Sequence, residues 1–257
     1  MPKKRIIFTL LYDRGNFFLS RNFRLQKVGN LNWLKMNYDF SKISSFIDEL
    51  IVINVSRELT NLDDFSITLK ELTKGCFVPI TAGGGIRSLE QARQLFNSGA
   101  DKVLLNTAVF TEPQLIESIA EIYGRQSIIA SIDFKTVSDI HEIYFNCGRI
   151  KFDGVLEEFF MWLDQEKVGE IYLNSIDRDG TGFGYDFSIL ELLPKNFRTP
   201  IIFAGGAGNY KHFEEGLSNN LIDAAATAHL FNFVGDGLKK SREKLIDLNF
   251  SLAKWQI

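Results

Sequence analysis

Pro79-Ile-Thr-Ala-Gly-Gly-Gly-Ile86 and Pro200-Ile-Ile-Phe-Ala-Gly-Gly-Ala-Gly208 repeat one pattern, an apolar run that ends in a cluster of small residues. Each is followed by a stretch with helical spacing and then by an Asp opening another apolar run. Asp101 lies 17 residues after Gly84 and Asp223 lies 17 after Gly206, so the copies are offset by 122 residues. The same offset lays Ile6-Ile7 on Ile128-Ile129 and brings Glu49 within one position of Glu170. A fixed internal period marks a repeated structural unit. The chain therefore reads as two similar halves, about 1–123 and 124–257.

Eight short apolar runs predict strands at Arg5–Leu11, Glu49–Val55, Val78–Ala82, Lys102–Leu105, Ser127–Asp133, Glu170–Ser175, Pro200–Ala204 and Ala224–Ala226. Between them, stretches such as Ser88–Ser98, Glu112–Tyr123, Leu156–Lys167 and Tyr210–Ser218 carry apolar residues at three-and-four spacing, as amphipathic helices do. That alternation describes a parallel sheet covered by helices, either an open doubly wound sheet or a closed barrel. Four strands in each of two similar halves close into a barrel. The expectation is an α/β fold: a single (β/α)8 barrel (TIM barrel) domain over 1–257 with a two-fold half-barrel repeat. Asp139–Phe152 reads as a small hairpin inserted after the fifth strand.

Composition narrows the function. Hydrophobic residues make up 45% and charged residues 24%, the proportions of a globular chain rather than a disordered or fibrous one. The 29 basic and 32 acidic residues give a net charge of −3, no global field for nucleic acid or an anionic membrane, so an anionic ligand must be held locally. Cys76 and Cys147 form no C-x-x-C motif and read as ordinary thiols of a reducing compartment. The apolar run after Met-Pro-Lys-Lys-Arg stops at Leu11, too short to export or span, and the expected location is the cytoplasm.

Glycine clusters at the carboxyl ends of strands let backbone N–H groups approach an anion beside a helix start. Two such clusters in symmetric positions predict two phosphate sites across the barrel mouth, and hence a ligand with a phosphate at each end. Ser175-Ile-Asp-Arg-Asp-Gly-Thr-Gly-Phe-Gly-Tyr-Asp186 fails as a calcium loop, because Ser188 stands where the bidentate Glu is required. As the loop after the sixth strand, it brings Asp177 and Asp179 to the active face. His141, His212 and His229 have no ligand spacing, and neither a metal nor a cofactor is expected. Asp133 ends an apolar strand, where partial desolvation suits a carboxyl to acid–base work. Arg5, Glu49, Lys102 and Glu170 each open a strand and are placed to pair into a ring across the opposite, amino-terminal end.

These residues give the chain a resemblance, over nearly its whole length, to the cyclase subunit of imidazole glycerol phosphate synthase, a (β/α)8 barrel of the histidine pathway. The motifs are Lys4-Arg-Ile-Ile7, Thr81-Ala-Gly-Gly-Gly-Ile86, Gly99-Ala-Asp-Lys-Val103 with Asn106-Thr107, Ser175-Ile-Asp-Arg-Asp-Gly-Thr181 with Gly184-Tyr-Asp186, and Gly205-Gly-Ala-Gly208. The Ser175–Thr181 motif favours the cyclase over the sister isomerase barrel. The resemblance implies a glutaminase subunit docked at the amino-terminal face near Asp101, with its ammonia admitted through a gate of Arg5, Glu49, Lys102 and Glu170. It implies phosphate positions at Gly85, Asn106 and Thr107 in one half and at Gly180, Gly206 and Ala228 in the other. A lyase forming imidazole glycerol phosphate is the activity it implies.

Family members use two catalytic aspartates, ending strands one and five. Asp133 is the second. The first falls, by the resemblance and by the 122-residue offset alike, on Leu11. Asp13 lies two residues on, and Asp13 and Asp179 are the carboxylates available to assist Asp133. Leu19 replaces a lysine, Asn54 an aspartate and His229 a small hydroxyl residue, and the first loop is enlarged around Asn32-Trp-Leu-Lys35. Three readings follow: a cyclase-like amidotransferase subunit with altered chemistry, a working cyclase, or a non-cyclising ammonia conduit serving a separate synthetase of sugar or surface-polysaccharide synthesis.

Overall fold

The computed structural model describes residues 3–37, 45–57, 62–165, 167–228 and 237–253. Eight parallel strands follow the apolar runs: β1 (Arg5–Asp13), β4 (Glu49–Asn54), β5 (Ile80–Gly83), β6 (Lys102–Leu105), β7 (Ile128–Val137), β10 (Glu170–Ser175), β11 (Ile201–Ala204) and β12 (Ala224–Thr227). Each pairs with the next in this order, and β12 returns to β1, so the sheet closes into a barrel. Two antiparallel hairpins extend it at the carboxyl end. The predicted one is β8 (Ile140–Phe145) with β9 (Ile150–Lys151), running on from β7. The other, β2 (Asn16–Arg21) with β3 (Arg24–Asn30), runs on from β1 and precedes helix α1 (Leu31–Asn37); the sequence reading showed there only an enlarged loop.

Seven further helices are described: α2 (Asp63–Thr73), α3 (Leu89–Phe96), α4 (Thr107–Thr111), α5 (Pro113–Tyr123), α6 (Leu156–Asp164), α7 (Tyr210–Ser218) and α8 (Gly237–Asp247). Their buried faces, such as Phe65, Leu69 and Leu72 on α2 or Phe213 and Leu217 on α7, pack on the outward side chains of the strands. Ile6, Phe8 and Leu10 of β1 join this outer core, while the alternate residue Ile7 joins Ile51, Leu104, Ile129, Tyr172 and Ile202 inside the barrel. This is the period-two alternation of a strand with different partners on its two faces. The buried Arg242 of α8 clasps Asp48 through both guanidinium nitrogens, 2.9 and 3.0 Å, while Asp48 also accepts the Ile6 N–H at 2.8 Å.

The strand registers fix the internal symmetry. Ile7 lies beside Glu49 as Ile129 lies beside Glu170, and Leu11 beside Ile53 as Asp133 beside Asn174. Thr81 lies beside Lys102 as Ile202 lies beside Ala224. Strands β1 and β6 thus match β7 and β12 at an offset of 122, whereas β4 and β5 match β10 and β11 at 121. The glycine alignment shifts accordingly, so that Gly84 corresponds to Gly205. Helix α7 has nine residues where α3 has eight, which accommodates the one-residue difference.

Candidate functional site

The carboxyl end of the barrel encloses a cavity of about 460 Å³. Its wall includes all six predicted phosphate positions, Gly85, Asn106, Thr107, Gly180, Gly206 and Ala228, together with Asp133, Asp179, Leu11, Leu19 and Asn54. Asp13 and Asp177 are not in that wall. The Asp13 carboxylate faces Arg14 at 3.4 Å, and Asp177 accepts the Thr136 N–H at 3.0 Å. His229 lies outside the described residues. His212 lies in the first turn of α7, its Nδ1 accepting the Gly208 N–H at 3.0 Å. Among the described residues no His, Cys, Asp and Glu cluster could hold a metal ion.

The glycine turns are built alike. Gly84 and Gly205 have φ of +89° and +86°, in the left-handed region. A Cβ would lie 1.9 Å from the Asn54 carbonyl oxygen at the first and 2.5 Å from that of Ser175 at the second, so both turns press on backbone and exclude side chains. Small residues here leave room for a ligand beside the strand ends.

Asp133 is buried and accepts two amide hydrogen bonds, from Asn174 Nδ2 at 3.2 Å and Asn106 Nδ2 at 3.1 Å. Burial pushes its pKa up to about 7, helped by the nearby Asp179 charge and opposed by the two amides. Asn106 is itself fixed, donating to the Ser131 carbonyl at 2.9 Å and accepting the Asn146 N–H at 3.2 Å. Asp179 is also raised by burial, against donation from the Ser20 hydroxyl at 2.5 Å and the Phe23 N–H at 3.0 Å. Through these bonds the tip of the β2–β3 hairpin folds over the loop after β10, and Phe23 meets Gly148 of the other hairpin.

At symmetric positions the surroundings of Leu11 are apolar. Asn174, Asn106 and Asp133 correspond to Ile53, Ala228 and Leu11, all in the cavity wall. The carboxylate and its two amide donors stand in one half, and their counterparts are hydrocarbon.

At the amino-terminal end, Arg5, Glu49, Lys102 and Glu170 form a closed ring. Arg5 bridges Glu49 and Glu170, the latter at 2.5 Å; Lys102 bridges the same two carboxylates, reaching Glu49 at 3.1 Å. Burial raises the pKa of Glu170, but Arg5 and Lys102 outweigh it and hold this carboxyl below its usual range. On β6 and β10 the ring residues Lys102 and Glu170 stand two positions before Leu104 and Tyr172, which form part of the cavity wall. Two strand residues span about 7 Å. Asp101 has a local duty as well, accepting the Ile80 N–H at 2.8 Å as Asp223 accepts that of Ile201 at 2.9 Å.

Several wall residues escaped the sequence reading: Asn174, Tyr172, Arg57, Arg87 and Arg149. Asn174 closes an otherwise apolar strand much as Asp133 does, which was a usable signal; the arginines carry none, since solvent-facing arginines look the same in sequence.

No helix of the described residues is long and apolar enough to cross a membrane. The profile of the family described as "Histidine biosynthesis protein" matches residues 35–235. The chain is 48% identical over its whole length to 96% of the "Putative imidazole glycerol phosphate synthase subunit hisF2" of Parasynechococcus marenigrum. It is 36% identical, over 96% of its length and 97% of the relative's, to the imidazole glycerol phosphate synthase subunit HisF of Chlorobium limicola. The subunit of the same name from Chlorobaculum tepidum is 35% identical over 95% and 96% of the two chains. By barrel topology, end-to-end similarity and family profile, this chain belongs to the histidine biosynthesis family of imidazole glycerol phosphate synthase HisF subunits.

Proposed function

We propose that this chain is the barrel subunit of a cytoplasmic glutamine amidotransferase that conducts ammonia but does not run a two-aspartate cyclisation. A glutaminase docks at the amino-terminal face near Asp101, and its ammonia enters through the ring of Arg5, Glu49, Lys102 and Glu170. The interior between ring and cavity is lined by Ile7, Ile51, Ile129, Ile202 and Ala224. Uncharged ammonia crosses such a lining, whereas ammonium would pay the desolvation of a charge in an apolar passage. In the cavity the glycine turns hold a phosphorylated small molecule. With its pKa near neutrality, Asp133 can accept or return a proton where ammonia arrives. Ammonia then serves a separate synthetase that aminates or amidinates a sugar.

One observation carries the loss of cyclisation: Leu11 occupies the position symmetric with Asp133 and faces the same cavity. Neither nearby carboxylate substitutes for it, since Asp13 faces Arg14 and Asp179 is engaged by the β2–β3 hairpin. Losing one member of an acid–base pair costs about 10²–10⁴-fold in rate. Purified protein given free ammonium and the family's bisphosphate substrate should therefore show little imidazole glycerol phosphate formation, and Leu11→Asp should raise it about a hundredfold. Robust turnover by the unaltered protein would sink the conduit reading in favour of a working cyclase. In the reconstituted glutaminase complex, Arg5→Ala and Lys102→Ala should uncouple ammonia transfer while circular dichroism stays unchanged. Unaltered transfer in both variants removes the gate from the proposal.

A further inference from the structure

The two ends of the cavity differ in charge. Among the described residues its wall carries three guanidinium groups, Arg57 after β4, Arg87 after β5 and Arg149 in the β8–β9 hairpin, against the carboxylates of Asp133 and Asp179. The arginines come from the half of the barrel that runs from β4 to β7 and its hairpin, Arg87 standing two residues after the Gly84-Gly85 turn. Arg57 reaches across to the Phe23 carbonyl at 3.0 Å, and Arg87 to that of Ile86 at 3.2 Å. Neither bond neutralises a charge, and none of the three arginines forms an ion pair with a carboxylate of the described residues. Their charges converge: Cys147, inside the cavity, lies within the field of all three.

The barrel's own symmetry supplies the control. Arg57 and Arg87 correspond to Arg178 and Gly208, neither of which lines the cavity, and in hairpin register Arg149 corresponds to Leu25, a wall residue without charge. Arg178 instead acts on Asp186. The opposite side is walled by Gly180, Gly182, Gly206, Ala207 and Ala228, which offer backbone without charge. A ligand with equal phosphates at both ends would meet three guanidinium groups at one and none at the other. A single phosphate beside the glycine turn, with one bidentate arginine, would leave the remaining guanidinium groups unmatched.

We propose that the cavity takes an asymmetric ligand whose end over β4, β5 and the β8–β9 hairpin carries a diphosphate group, gripped by Arg57, Arg87 and Arg149 at the Gly84-Gly85 turn. This rests on the cavity being the phosphate-ligand site of the function proposed above, and it specifies the ligand's class. Planar guanidinium forks match the paired oxygens of adjacent phosphoryl groups, and each contact shared with a second phosphoryl adds to the first.

The test is calorimetric titration of the full chain with pyrophosphate, orthophosphate and glucuronate at fixed ionic strength without divalent cations. Pyrophosphate should bind at least about ten-fold more tightly than the other two. Arg57→Ala, Arg87→Ala and Arg149→Ala should each weaken pyrophosphate about ten-fold and orthophosphate less than about three-fold. Lys74→Ala, an equal loss of charge beyond α2, should change neither, and thermal unfolding verifies that each variant is folded. Equal affinities for the two phosphates, tighter binding of glucuronate, no binding of any probe by folded protein, or arginine variants that weaken both phosphates alike would overturn the diphosphate assignment. None of these readouts involves ammonia or cyclisation, so each failure leaves the conduit test standing on its own result.

Discussion

At the end of β7, Asp133 stands between Asn106 and Asn174; at the matching place on β1, Leu11 stands between Ala228 and Ile53. Both ends keep the same register with the next parallel strand and have a left-handed glycine nearby, although the antiparallel partner is Phe18 for Leu11 and Tyr144, four residues further along, for Asp133. What differs in chemistry is a whole polar unit. A buried carboxylate is tolerable when its oxygens are satisfied, and buried amides are tolerable when they have acceptors, so either all three stay polar or all three turn apolar. The β1 end is therefore a coherent hydrocarbon patch, in which Leu11 takes the place of the other carboxylate.

The largest expected effect tests the polar side. Asp133 titrates near 7 in the folded protein and near 4 in an unfolded chain, so between those values the folded state holds the extra proton. Stability is then fully present below about pH 4 and is lost as pH rises through 7, by roughly 3 kcal/mol between pH 5 and 8. Asp133→Asn should abolish that decline, making the variant gain on the unaltered protein as pH increases. Urea unfolding at pH 5 and 8 decides it. Parallel profiles would mean that the carboxylate is no more perturbed than an exposed one, and the contrast between the two strand ends would lose its electrostatic content.

Next in size is the apolar side. Leu11→Asp introduces a carboxylate with no amide donor at Ile53 or Ala228, and should cost about 2 kcal/mol at neutral pH. Adding Ile53→Asn, beside it in register as Asn174 is beside Asp133, should recover about 1 kcal/mol. A double-mutant cycle in urea measures that coupling. Additive effects would show that the two ends are alike in backbone only, and that Leu11→Asp restores chemistry, if it does, without rebuilding the polar unit.

The contrast also shows which relations a sequence carries. The eight strands were legible because their apolar runs are short and bounded, and the offset between halves was legible because each glycine cluster stands 17 residues before an Asp and Ile6-Ile7 matches Ile128-Ile129 at the same spacing. The β8–β9 hairpin had Gly148 near its turn. The β2–β3 hairpin turns at Asn22-Phe23, with φ of 50° and 60° and no glycine to signal it, so it read as loop. The glycine clusters holding Gly85 and Gly206, and Asp133 at its strand end, were found from local pattern, and Asn106 only from the family resemblance. The Asp133–Asn174 bond was not, because it spans 41 residues and exists only where β7 and β10 close their half of the barrel. Likewise, Asp13 looked as serviceable as Asp179 by spacing; the turn into β2 carries Asp13 out of the cavity wall, while the loop after β10 brings Asp179 into it.

The smallest effect probes how tightly the polar unit is bound together. Asn106→Ala copies Ala228 into the other half and removes one of Asp133's two donors, along with contacts to the Ser131 carbonyl and the Asn146 N–H. The cavity side remains open to water, which can replace part of what is lost, so the cost should be only about 1 kcal/mol. Its direction in pH is more telling than its size. The Asn106 amide favours the ionised carboxyl, so its removal should raise the Asp133 pKa further and move the alkaline loss of stability to higher pH. Following the Asp133 carboxyl carbon by NMR through the titration reads this directly. If the midpoint moves down, Asn106 does not support the charge on Asp133, and the unit reduces to the Asp133–Asn174 pair across the β7–β10 seam.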